Sequence, residues 1–245
     1  MTPISREAEL LERDLRAIFG ARLQSLVMYG TRAGHAPASH GAHGHTAAPL
    51  THTLAIVDTI AADDLRACAA RVPAWHDAGL ATPLLVAAHE FERSLDAFPL
   101  EFGAILADHV VVSGRNPFDG LRVDAADLRR TCEVQARSHL LHLREGFLET
   151  GGRPDALAVL IVDSAPAFAA LLASVARLQG VADADAGAVS RHAERAIDVP
   201  GGIVADVVKL AGVAEIPSAE AVRLFPAYLD ASERLVQYVD GWRAK

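Results

Sequence analysis

The chain has 245 residues and a mass of 25.9 kDa, enough for one sizeable hydrophobic core or two modest ones. With 51% hydrophobic and 22% charged residues, it is not disordered, collagen-like or a disulfide scaffold. A net charge of −8 and a pI of about 5.7 exclude a general attraction for nucleic-acid backbones.

The N-terminus, Met1-Thr2-Pro3-Ile4-Ser5-Arg6-Glu7, leads into a charged amphipathic stretch with no apolar leader, so a cytoplasmic protein is expected. In residues 5–19, Leu10, Leu11, Leu15, Ile18 and Phe19 recur at helical spacing, and Gly20 is a natural stop. Leu23 to Tyr29 is short and apolar, ends at Gly30-Thr31, and reads as a buried strand. Leu54–Val57, Leu84–Ala87 and His109–Ser113 are further strands. A helix is expected from Asp63 to Ala74, behind the acidic pair Asp63-Asp64, and a shorter one from Glu90 to Leu95. Alternating strands and helices specify an α/β layer.

After Ser113 the strand signal stops. The turn-rich run Gly114-Arg115-Asn116-Pro117-Phe118-Asp119-Gly120 marks a boundary, giving an α/β domain over 1–120 and an all-helical bundle over 121–245. Leu128, Cys132, Ala136, Leu140, Leu143 and Phe147 define the first helix of the bundle, ended by Gly151-Gly152. Further helices are expected over about 154–178, 185–197, 203–212 and 217–242, the last with Val222, Phe225, Leu229, Val236 and Val239 on its apolar face. From Ala156 to Ala176 only Asp163 is charged, a length that suits a membrane span. Asp163, Ser164 and Pro166 at its middle favour a central helix covered on all sides by others, and no membrane partner is expected. Cys68 and Cys132 lack metal-type spacing and read as small core residues in a reducing compartment.

Leu26-Val27-Met28-Tyr29-Gly30-Thr31-Arg32-Ala33-Gly34 resembles the first signature of the DNA polymerase β-type nucleotidyltransferases, and with the helical half the chain resembles the bacterial two-domain, kanamycin nucleotidyltransferase-like members. The resemblance implies an α+β fold: a mixed sheet with flanking helices, then a helical bundle. It also implies that Gly30, Thr31, Arg32 and Gly34 hold a nucleotide's phosphates, because a glycine at a strand end lets backbone N–H groups approach phosphate oxygens. An acidic-x-acidic pair on the next strand would hold magnesium ions on that nucleotide. Here Thr51 and Thr53 occupy those positions, and a neutral hydroxyl does not replace an anionic ligand. Gly30 and Thr53 also lie 23 positions apart, a longer loop than the family pattern. Such enzymes carry a third acid on a later strand, for which Glu101 or Asp96 is the nearest candidate, weighed against a water-facing acid at a strand edge or helix end.

Five of the 11 histidines, His35, His40, His43, His45 and His52, fall within residues 35–52 among Gly, Ala, Pro, Ser and Thr. Neutral imidazole suits zinc or nickel, so His40, His43, His45 and His52 are candidate ligands, weighed against an insertion that merely tolerates histidine. Arg137 and His142 resemble a ribonuclease pair in helical domains, but five positions put them about 140° apart on a helix. Three functions follow. The leading one is a nucleotidyltransferase-fold protein without its metal-binding acids, which binds a nucleotide, a small ligand or a protein partner, including a second copy. The second is active nucleotidyl transfer to a small molecule or protein with unusual ligands such as His52 and Asp58. The third is a ribonuclease-like bundle.

Overall fold

The computed structural model describes residues 6–30, 50–181, 185–199 and 202–243. They fall into two units that divide between Val123 and Asp124.

In the first unit, helix α1 (Arg6–Phe19) and a 3₁₀ turn (Gly20–Arg22) lead into strand β1 (Leu23–Tyr29). Then come β2 (His52–Val57), α2 (Ala62–Ala69), α3 (Val72–Asp77), β3 (Leu84–Ala87), α4 (Ala88–Ala97), α5 (Pro99–Ala107) and β4 (His109–Gly114). The strands form one mixed sheet in the order β3-β2-β1-β4. β1 is antiparallel to β2 and β4, whereas β3 is parallel to β2, as the helical crossover between them requires. Four strands thus stand where the apolar runs predict them.

The sheet is covered on both faces. Leu11, Leu15 and Phe19 of α1 pack with Cys68, Trp75, Leu26, Met28, Ala55 and Val57 on one face. Phe91 and Leu95 of α4 and Phe102 and Ile105 of α5 pack with Val27, Tyr29, Leu54, Ile56 and Val86 on the other. This division follows from the period of two along each strand. Trp75, fully buried, donates its indole N–H to Asp14 Oδ2 at 3.1 Å and ties α3 to α1. The expected helix from Asp63 to Ala74 is two helices. Pro73 lacks an N–H and disfavours helical backbone before it, so the chain turns at Ala70-Arg71 and restarts with Pro73 in the first turn of α3.

The second unit contains α6 (Ala125–Glu149), α7 (Pro154–Leu178), α8 (Ala186–Ala196), α9 (Ile203–Lys209) and α10 (Ser218–Gly241). The chain is therefore α+β, a mixed sheet with flanking helices and a helical bundle. Helix α7, long and apolar enough to cross a membrane, packs against α6, α8, α9 and α10. Its burial is uneven. Residues 171–176 are buried on every side, whereas Val159, Asp163, Pro166 and Ala167 are exposed, so the expectation of cover on all sides holds only for its C-terminal half. The apolar face of α10 is rotated from the expected one. It keeps Phe225 and Val239 from the expected set but is centred on Ala221, Leu224, Tyr228, Ala231 and Leu235, leaving Val222 exposed. Tyr228 joins that face because its hydroxyl finds partners, accepting from His139 Nε2–H at 2.9 Å and donating to Ser164 Oγ at 3.1 Å. Cys68 and Cys132 are both free and buried.

Candidate ligand site at the strand ends

The C-terminal end of β1 meets the N-terminal ends of β2 and β4. Tyr29 lies opposite His52 on one side and His109 on the other, one step beyond Met28, which lies opposite Thr53 and Val110. Alternation sends Tyr29 and its partners to the face covered by α4 and α5. Met28 and Thr53 go to the face covered by α1 and α3. The Tyr29 and His52 rings are in contact, with centroids 5.7 Å apart. Burial raises the Tyr29 hydroxyl pKa and lowers that of His52, so the uncharged form of each is favoured.

Of the residues expected to hold phosphate, Gly30 closes β1 with φ of 68°, a left-handed conformation that suits glycine. Its N–H already donates to the Asp108 carbonyl at 3.3 Å. Thr31, Arg32, Gly34, His40, His43 and His45 lie outside the described residues. Thr51 sits in a parallel bridge to Leu80, donating its N–H to the Gly79 carbonyl at 2.8 Å and accepting from Ala81 N–H at 2.9 Å. Thr53 is 1% exposed, and its Oγ1 has no hydrogen-bond partner among the described residues. Such a buried hydroxyl costs about 1–3 kcal/mol.

The expected third acid is not on the sheet. Pro99 opens a helix, so Glu101 lies exposed in the first turn of α5, and Asp96 is exposed near the end of α4. Asp108 was not singled out in the sequence. It immediately precedes β4, is 6% exposed, and lies at the strand ends because its carbonyl holds Gly30. Neighbouring His109 donates from Nδ1 to the carbonyls of Ile105 and Leu106 at 3.0 and 3.1 Å, and its Nε2 lies 3.1 Å from Asn116 Oδ1. It joins the end of α5 to the turn after β4. No local motif marks Asp108 and His109, since strand register brings them to β1 from far along the chain.

The other constellations do not assemble. His52 and Asp58 stand at opposite ends of β2, and Asp58 accepts a hydrogen bond from the Gln24 side chain. Arg137 pairs with Asp240 at 2.6 Å, while His142 pairs with Glu145 at 3.2 Å. Among the described residues, no group of three His, Cys, Asp or Glu side chains is arranged to hold a metal ion.

Magnesium on a nucleotide, which the resemblance implies, needs anionic oxygens on β2. The hydroxyls of Thr51 and Thr53 supply none, so the donor set there does not fit it. The strand ends instead carry the hydroxyls of Thr51 and Thr53 and the rings of Tyr29 and His52, whose uncharged forms burial favours.

No family model matches the sequence, and no curated protein matches it. Among solved structures, the chain is similar to the spectinomycin adenyltransferase AAD(9) of Enterococcus faecialis, solved with ATP and spectinomycin. The TM-score is 0.52 at 9% identity, and the match covers 94% of this chain and 98% of that one. The chain therefore has a nucleotidyltransferase-like fold.

Proposed function

We propose that this protein is a binding member of the nucleotidyltransferase-like fold, which takes a nucleotide or another small ligand at the strand ends and does not transfer a nucleotidyl group through magnesium. The observation that carries this reading is the neutral pair at the start of β2, Thr51 just before the strand and Thr53 within it. Thr53 stands where the resemblance implies a metal ligand, and its hydroxyl is buried and without a described partner. That leftover hydrogen-bonding capacity suits an uncharged or phosphate-bearing ligand group. The neighbouring fold solved with ATP and spectinomycin supports a small-molecule ligand.

The test is titration with fluorescent ATP in magnesium and again in chelator, alongside transfer assays with labelled nucleotides. Binding that survives chelation, without transfer, is expected. Magnesium-dependent transfer at ordinary enzyme rates overturns the reading. The His40, His43 and His45 cluster is tested separately by zinc calorimetry, because imidazole would take zinc or nickel in preference to magnesium.

A further inference from the structure

The outer face of α6 carries an apolar line that no described element covers. Val134, Leu141 and Leu148 are 59%, 61% and 77% exposed, and they are spaced by seven residues. At 100° per residue they lie across the helix from its buried seam of Leu128, Cys132, Ala136, Leu140 and Leu143. Seven-residue spacing drifts by only about 20° per step, so the three side chains form a nearly straight line about 21 Å long. That repeat is the seam of a coiled coil, with the line at d positions and Thr131, Ser138 and Glu145 at the adjoining a positions.

The flanks are just as regular. Arg130, Arg137 and Arg144 form the column on one side (g), and Gln135, His142 and Glu149 the column on the other (e). Arg137 and Arg144 are held along their flank by Asp240 and Glu233 of α10, each pair at 2.6 Å. We infer that this face pairs with the same face of a second copy, the two α6 helices running parallel about a two-fold axis along them.

The charges choose this arrangement. In an antiparallel pair each flank meets its own kind, so the arginine columns would face each other. In a parallel pair each g column meets the partner's e column, which sets Arg144 beside Glu149, Arg137 beside His142 and Arg130 beside Gln135. Glu145 meets its copy at an a layer and opposes the pairing. One helix per copy with three apolar layers makes a small interface, so the dimer is weak and depends on concentration.

The experiment is sedimentation of the full chain over about a hundredfold range of concentration. A reversible monomer–dimer equilibrium is expected. Leu141→Glu, at an exposed position, should abolish it with an unchanged circular dichroism spectrum, and Glu145→Leu should tighten it at least tenfold. Ser138→Cys reports direction: oxidation should link copies through residue 138 only when the helices run parallel and in register, since the native cysteines are buried. A monomer at every concentration, a dimer indifferent to Leu141→Glu and Glu145→Leu, or a Ser138→Cys chain that dimerises without cross-linking would each overturn the inference.

Discussion

The two ends of the sheet differ in the charges they carry, although a buried hydroxyl goes without a described partner toward each, Ser113 Oγ beside Gly114 and Thr53 Oγ1 beside Tyr29. At the end where β1 begins, charges are matched. Arg22 grips Asp64 with two bonds of 2.7 Å, Asp64 also accepts Ala61 N–H at 2.9 Å, and Asp58 takes the Gln24 amide. At the end where β1 finishes, β2 presents neutral threonines, and Thr53 Oγ1 lacks a partner among the described residues. The acids near β2 thus serve the fold at one end, while the end where the resemblance implies chemistry carries none on that strand. Satisfied polar groups lock structure, and an unsatisfied one retains the capacity to bind.

The matched end should break most easily at Gly114. It lies opposite Ser25 with φ of 79°, and a Cβ there would stand 2.0 Å from the Gln24 carbonyl oxygen. Gly114→Ala should cost about 3 kcal/mol in urea unfolding, from left-handed strain plus the clash. The helical unit contains a matched polar group of another kind. His139 stacks on Phe168 and donates to Tyr228, and burial lowers its pKa to about 4. A base that resists protonation when folded contributes stability that is complete above the ordinary pKa of 6.5 and is lost as pH falls toward 4. The loss should approach about 3 kcal/mol and should disappear from the pH profile of His139→Gln.

A smaller effect is expected at Asp64. The Arg22 fork, followed by the Ala61 N–H, holds its carboxyl at about 2. Its contribution is therefore present above the ordinary 3.8 and fades as pH falls toward 2. Asp64→Asn should lower the thermal midpoint at pH 7 and flatten that acid limb, and Arg22→Lys should do so in part because it loses the fork. The smallest change sharpens the comparison most, because its sign is reversed. Thr53→Val removes the unpartnered hydroxyl at nearly constant volume and should stabilise the protein by about 1 kcal/mol while weakening nucleotide binding. A destabilised Thr53→Val protein would mean that the hydroxyl is satisfied, and the contrast between the ends would fail.

Local signals were legible where one residue's neighbours in sequence decide its state. The apolar run Leu54–Val57 and the break at Gly151-Gly152 bound real elements. The helix break at Pro73 is equally local, since a proline disfavours helical backbone at the residue before it. Glu101 is an exposed acid in a first helical turn, and Pro99 beside it is the helix-start signal. Asp108, His109 and the orphaned hydroxyl of Thr53 had no such signal. Their placement depends on which strand pairs with which, and on what fails to reach a buried atom.

The sheet order carries a consequence for synthesis. β1 sits between β2 and β4, but β4 follows it by about eighty residues. Until His109–Gly114 leaves the ribosome, the Ser25–Tyr29 edge of β1 has open N–H and C=O groups, the kind of edge that recruits other chains. A nascent chain stalled before His109 should therefore be prone to aggregate, and one released past Gly114 has closed that edge before the first helix of the bundle emerges.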